Sequence, residues 1–297
     1  MTALAQLEAA LCQAAPHHRS RIRHQLALMD AGLRQFLETY VAHCTQAGAS
    51  CDDMAESYAF LLRETMKEQM YFAKHGTYRY HTQDDVRDRV YRDDGYMTKY
   101  MTGLALSTVL WPNHVALYHF FKRFVESDKC PRGGYMEVGA GHGLFCAQAL
   151  RSGQFQSCTV VDVSASSIRL SKAMLQDAAR GVPVTYHCMD FLDFAAGSYD
   201  VIVIGEVLEH VEHPDAFLRK ARELLRPGGR VYVSTCLNAP EPDHIYLFST
   251  RAEVAQMIRA SGFSVEDEAC LPYEGRTAEL CEAERLPVNV AYILKPS

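Results

Sequence analysis

The stretch Tyr135-Met136-Glu137-Val138-Gly139-Ala140-Gly141-His142-Gly143 constrains this 297-residue chain more than any other part of it. The residues up to Val138 read as a short buried strand, the three glycines as a tight turn, and 144–150 as the start of a helix. Glycine tolerates unusual backbone angles and lets a ligand approach the main chain to van der Waals distance. A strand, glycine turn and helix in this order can cradle a nucleotide or a nucleoside. A dinucleotide site carries G-x-G-x-x-G, whereas the spacing here is G-x-G-x-G, with Leu144 in the place of the last glycine. Taken alone, the turn is compatible with several nucleotides.

The residues beyond the turn narrow the choice. From Cys130 onward short apolar runs alternate with helical stretches. Further strands are expected at 158–163, 184–189, 199–205, 230–235, 263–266 and 290–294. Helices are expected at 168–179, at 215–225 before the stop Pro227-Gly228-Gly229, and after the capping-box spacing Thr250-x-x-Glu253. Such alternation implies an open α/β sheet, parallel in its main part, with ligands at the carboxyl ends of the strands. Acids fall at three successive strand ends. Glu137 lies beside the turn. Asp162 comes about twenty residues after it, where a carboxylate can accept both ribose hydroxyls. Asp190 ends the third strand, where it can accept an adenine amino group while Phe191 packs on the ring.

Residues 1–128 show no strand-like alternation and are expected to form a helical cap on a catalytic domain at 129–297. Ile22, Leu26, Met29, Leu33, Phe36, Leu37, Tyr40 and Val41 recur at three and four, which predicts one long amphipathic helix. Asp52 and Asp53 are candidate caps for another. Thr82 and Asp85 have capping-box spacing ahead of Val86, Val90 and Tyr91, and Asp94-Gly95 is expected to break the chain. The next segment is rich in aromatic residues, with Pro112 opening a second helix. Its bland reading is a helix packed on the main domain. Its functional reading is a lid whose Tyr96, Tyr100, Trp111 and His114 wall a small-molecule pocket.

The formal net charge of −6 argues against a nucleic-acid partner, and no run of about 18 apolar residues exists to cross a membrane. Ten scattered cysteines without a C-x-x-C pair, behind a start that does not resemble a signal peptide, suggest reduced thiols and a cytoplasmic location.

The combination resembles the class I S-adenosylmethionine-dependent methyltransferases. The matching pieces are Glu137-Val138-Gly139-Ala140-Gly141-His142-Gly143, Asp162, Asp190, the run Tyr199-Asp200-Val201-Ile202-Val203-Ile204-Gly205-Glu206-Val207-Leu208-Glu209-His210-Val211, and Leu225-Arg226-Pro227-Gly228-Gly229-Arg230. The resemblance covers about residues 130 to 297. It implies a Rossmann-like seven-stranded sheet whose last strand inserts antiparallel between the fifth and sixth. It also implies S-adenosylmethionine as cofactor, with Glu137, Gly139 and Gly141 at the methionine part and turn. Asp162 with Val163 would hold the ribose side, Asp190 and Phe191 the adenine, and Glu206 the reacting end.

Methyl transfer from a sulfonium is an in-line displacement in which a cation loses its charge, so positioning supplies most of the catalysis. A base is needed only where the acceptor must lose a proton. Glu206 and His210, with Tyr100 and His114 from the cap, are the catalytic candidates; Tyr96, Tyr100, Trp111, His114 and Tyr246 are the acceptor-side candidates. Glu206, Glu209 and His210 would share one face of a helix. The Glu-x-x-Glu-His element is similar to that of ubiquinone-pathway O-methyltransferases and small-RNA 2′-O-methyltransferases. That similarity implies a divalent cation held by Glu206, Glu209, His210 and His244, against the alternatives of substrate hydrogen bonding or a His210 base. The expected acceptor is a small molecule, and a cap of this size allows for a homodimer. Two further readings stay open: a cyclase or lyase that releases methylthioadenosine from the same cofactor, and a non-catalytic binding protein on the same fold.

Overall fold

Capping chemistry divides the N-terminal part into helices in the computed structural model, which describes residues 2–87 and 93–297. Thr2 caps α1 (Ala3–Ala14), and α2 (Arg19–Leu28) follows a short 3-10 turn at Pro16–His18. The single long helix expected from the periodicity is interrupted, because Asp30 accepts the Leu33 amide at 2.9 Å and starts α3 (Ala31–Gln46). A side-chain oxygen that satisfies an otherwise orphaned amide stabilises a new helix start by about 1 kcal/mol. Helix α4 (Cys51–His75) is capped by Ser50 rather than by Asp52 or Asp53, with Asp53 returning the hydrogen bond as a capping box, and it ends on Gly76. Thr82 caps the short α5 (Gln83–Val86) as expected; Val90 and Tyr91 lie outside the described residues. Asp94-Gly95 does not break the chain but opens α6 (Asp94–Leu110), whose cap is Asp93. Pro112 starts α7 (Pro112–Val125), a position where a proline ring costs no helical hydrogen bond.

Two compact units result: Met1–Ala116 with Pro240–His244, and Leu117–Ala239 with Ile245–Ser297. In the first, α4 packs against α1 and α6, with Leu7, Leu11, Met54, Tyr58, Leu61 and Leu106 buried. The division falls within α7 rather than between residues 128 and 129. The reason is that Phe121, in the later turns of that helix, packs its ring against Phe145 and Tyr232 of the second unit.

The second unit is a seven-stranded sheet. Its strands are β1 (Gly133–Val138), β2 (Phe155–Asp162), β3 (Val184–Cys188), β4 (Tyr199–Gly205), β5 (Leu225–Leu237), β6 (Phe263–Pro272) and β7 (Val288–Pro296). Their order is β3-β2-β1-β4-β5-β7-β6, and β7 runs antiparallel to both neighbours, as the resemblance implies. Helices α8 (Leu144–Ser152), α9 (Ala165–Leu175), α10 (Pro214–Leu224), α11 (Arg251–Ala260) and α12 (Ala278–Glu284) cover it. Val201 and Val203 of β4 point to the layer of α7, α8 and α9, while Ile202 and Ile204 point to that of α10, α11 and α12. A strand covered on both faces needs apolar residues at every position, which is why 199–205 reads as an unbroken apolar run. Each such Val or Ile side chain stabilises the fold by roughly 1.5–3 kcal/mol.

Strand β5 takes in Pro227-Gly228-Gly229, expected to lie ahead of it, through a register shift opposite β4. Helices α1 and α12 have no counterpart in the expectations from periodicity. Among the described residues no helix is long and apolar enough to cross a membrane.

Candidate active site

The glycine turn lies between β1 and α8, at the carboxyl end of the sheet's middle. Gly139 has φ +66°, and a Cβ there would stand 2.6 Å from Val207 Cγ2, so the segment after β4 packs directly on the turn. Gly141 has φ +52° and open space where a Cβ would stand. That combination suits a backbone cradle for a ligand.

Asp162, at the end of β2, is tied to the same turn. Its Oδ2 accepts the Gly141 amide at 3.4 Å and its Oδ1 the Ser164 amide at 2.8 Å. Burial raises its pKa above the ordinary carboxylate value, and the two amides act in the opposite sense. Val163, the next residue, is an exposed apolar side chain at 72%. Asp190 is exposed and accepts the Leu192 amide at 2.8 Å. Phe191 is not free to stack on a ligand: it is buried in the core, its ring centroid 5.5 Å from that of Phe217. The apolar side chain exposed beside Asp190 is Leu192, at 37%.

Glu137 is buried and accepts a hydrogen bond from the Tyr135 hydroxyl. Desolvation pushes its carboxyl up to about 8, the phenol counteracting and the charge of Asp162 adding to the shift. Glu206 follows β4 with φ +52°, a left-handed conformation that strains a residue with a Cβ. Its amide donates to Ser234 O at 3.0 Å and Ser234 Oγ at 3.1 Å, and its Oε2 accepts from Asn289 Nδ2 at 2.8 Å. Burial, followed by the charge of Glu209, raises its pKa.

The helical face expected for Glu206, Glu209 and His210 does not form. Only Leu208–His210 is helical, a single 3-10 turn, and Glu206 precedes it in its own backbone conformation. Glu209 is buried, accepts from Thr235 Oγ1 at 2.7 Å, and accepts the Ile245 and Tyr246 amides on its carbonyl. It braces the loop after β5. His210 is half-buried on that turn, and Tyr246 is half-buried with its ring 4.6 Å from that of Phe248.

The remaining expected site residues belong to the helical unit. Tyr96 donates to Glu64 Oε2 at 3.1 Å and Tyr100 to Asp243 Oδ1 at 2.8 Å. Trp111 Nε1 donates to the Tyr58 hydroxyl at 3.2 Å. His114 Nδ1 lies 3.2 Å from Ser107 Oγ, and desolvation pushes its imidazolium down to about 4, which leaves the ring neutral near pH 7. The ring of His244 packs 5.8 Å from that of Tyr78.

Sequence reasoning missed Asn289, Ser234, Tyr135 and Val207. The only local signal was Asn289, a lone amide between the valines of Val288-Asn289-Val290.

Residues 136–233 match the family described as a methyltransferase domain. The chain is 29% identical over 197 residues to the ubiquinone biosynthesis O-methyltransferase of Xanthomonas axonopodis pv. citri (strain 306), covering 58% of this chain and 81% of that protein. The fold is similar to that of an O-methyltransferase family protein from Burkholderia thailandensis, at TM-score 0.56 and 16% identity, covering 84% of this chain and 74% of that one. It is also similar to the mitomycin 7-O-methyltransferase MmcR, at TM-score 0.55 and 14% identity, covering 83% and 71%. Residues 136–233 thus carry a methyltransferase domain, and the chain is similar to the class I S-adenosylmethionine-dependent methyltransferases.

That family implies S-adenosylmethionine, and the residues present fit it. Gly141 is an open cradle, Asp162 sits at the strand end bound to the same turn, and Glu206 Oε1 is buried without a hydrogen-bond partner.

Proposed function

We propose that the protein transfers a methyl group from S-adenosylmethionine to a hydroxyl of a small molecule. The observation that carries the reading is the tie between the Asp162 carboxylate and the Gly141 amide, which joins a ribose acceptor to the open glycine turn in one rigid piece. The matched relative, named for O-methylation in ubiquinone biosynthesis, supports oxygen as the acceptor atom.

The bound cofactor supplies an electrophilic methyl on a sulfonium. Everything else falls to the chain. Asp162 holds the ribose hydroxyls, Asp190 takes the adenine amino edge, and Val163 and Leu192 cover the base, with Phe191 supporting them from the core. Glu137 and the turn hold the methionine arm. His210, half-buried after β4, is the candidate base for the acceptor hydroxyl, and Tyr246 lies on the acceptor side. Tyr96, Tyr100, Trp111 and His114 are assigned to the packing of the helical unit, since each is engaged there. The reading routes no step through a divalent cation: Asn289 and Thr235 orient the Glu206 and Glu209 carboxylates. The reading takes the protein as cytoplasmic and requires no second copy.

Incubation with S-adenosylmethionine alone and with a panel of small phenols, followed by mass analysis, tests it. S-adenosylhomocysteine and a methylated phenol are expected. Methylthioadenosine formed without any acceptor would overturn the reading in favour of intramolecular displacement of the cofactor.

A further inference from the structure

Residues of the second unit line a cavity of about 440 Å³, a volume suited to a small molecule. It is not the glycine cradle. Ser127, Asp128 and Lys129 line it just ahead of β1, whereas the cradle follows the carboxyl end of that strand. Its other walls are the last turns of α7, Ile293 of β7 and the middle of β6.

Two local features aim charged groups into it. Phe120, Arg123 and Phe124 share one face of α7, because they are three and four residues apart. Phe120 and Phe124 join Ile293 as an apolar floor. The Arg123 guanidinium lies over the Phe120 ring, 5.7 Å from its centroid, and among the described residues it forms no ion pair. In a regular strand, neighbouring residues face opposite sides of the sheet. In β6 the register instead shifts between Val265, opposite Leu294, and Asp267, opposite Ile293, so Glu266 is an extra residue in the strand. Such a bulge re-aims side chains, and Glu266 and Asp267 both line the cavity.

The two carboxylates differ. Arg230 grips Glu266 with Nε at 2.6 Å and Nη2 at 3.2 Å. This contact holds the Glu266 carboxyl below the usual range, with the charges of Lys295 and Lys129 acting in the same sense. Glu266 is thereby neutralised. Asp267 is exposed, and its Oδ1 accepts the amide of the next residue, Glu268, at 2.9 Å. What remains for a ligand is a carboxylate each at Asp267 and Asp128 and a cation each at Arg123 and Lys129, over an apolar floor. A ligand that answers all of these carries an ammonium, whose three N–H groups all donate, a carboxylate that a guanidinium can grip, and an apolar group.

We propose that this cavity is a second binding site, separate from the glycine turn, that takes a free α-amino acid with an apolar side chain. The carboxylate meets Arg123 and Lys129, the ammonium meets Asp267, and the side chain lies on Phe120, Phe124 and Ile293.

Calorimetric titration of the intact protein with three probes that share a phenyl ring tests this. L-phenylalanine carries both charges, 3-phenylpropionate lacks the ammonium, and phenethylamine lacks the carboxylate. Phenylalanine is expected to bind at about 1 mM or tighter, and each analogue about fivefold or more weaker. Similar affinity for all three, or no phenylalanine bound at about 10 mM, would overturn the proposal. Arg123→Gln should weaken phenylalanine about fivefold and leave S-adenosylhomocysteine within about twofold, because Arg123 lies outside the cradle. Phenylalanine affinity unchanged by that substitution would overturn the assignment. Saturating S-adenosylhomocysteine should not displace phenylalanine from the wild-type protein; displacement would place the amino acid at the glycine turn and overturn the second site.

Discussion

Val207 Cγ2 occupies the position 2.6 Å from where a Gly139 Cβ would stand, so the segment after β4 seals one side of the glycine turn. Gly139→Ala therefore meets both a clash and a positive φ, whereas Gly141→Ala, at φ +52°, meets open space. Urea unfolding should show Gly139→Ala destabilised by about 2 kcal/mol or more and Gly141→Ala by only about 1 kcal/mol. Binding should separate them differently: Gly141→Ala keeps the fold and still loses affinity for S-adenosylhomocysteine, because its methyl projects into the cradle.

Asp162 should show its role in binding more than in folding. Asp162→Ala removes an acceptor from the Gly141 and Ser164 amides and, on the proposed reading, from the ribose hydroxyls. A loss of more than about tenfold in affinity for adenosine-containing ligands is expected by calorimetry. Unchanged affinity would place the ribose elsewhere.

Asn289→Leu should leave Glu206 Oε2 without its donor. Loss of a buried partner of this kind costs about 1–3 kcal/mol, measurable as a lower urea midpoint with an unchanged slope.

Glu137 gives a pH dependence whose sign follows from its raised pKa. The unfolded carboxyl titrates near 4.5 and the folded one near 8, so the folded state binds more protons between these values. Its contribution to stability is present below pH 4.5 and is lost as pH rises through about 8. His114 is depressed from 6.5 to about 4, so its effect is confined to more acid solution. Between pH 6.5 and 8 the melting temperature of the unliganded protein should fall, and that of Glu137→Gln should fall less. The slope is reduced rather than abolished, because burial also raises Glu206.

Dialysis against a chelator tests the cation implied by the Glu-x-x-Glu-His element. Full activity is expected afterwards, since the proposed reaction routes no step through a cation. Loss of activity that added magnesium restores would return Glu206 and Glu209 to the role of ligands.

Much of the sheet was legible because a parallel strand buried on both faces shows as an unbroken apolar run. Tyr199–Gly205 is the clearest case, found with its observed bounds. The caps Thr82, Thr250 and Pro112 were legible because capping acts over three or four residues. Asp30 and Ser50 were missed although they use the same chemistry. Asp30 lies inside an apolar periodicity that continues across it, and Ser50 was passed over for the two aspartates just after it. The helical face drawn through Glu206, Glu209 and His210 failed because spacing says which residues would align if a helix formed, not whether one does.

The sequence by itself determined the class: the glycine turn, the acids at three strand ends and the run through His210 specify a nucleoside-cradling α/β domain, since each is a local pattern within one element. Only the tertiary structure decided which partners surround Glu206. Asn289 reaches it from β7, Ser234 and Tyr232 from β5, and Val207 carries its segment onto Gly139. These residues are far apart in the chain and become neighbours only because β7 inserts antiparallel beside β5 and β4 lies next to β1. Contacts set by strand order leave no periodicity to read. The glycine turn was therefore visible from its own residues, and the groups that surround Glu206 beside it were not.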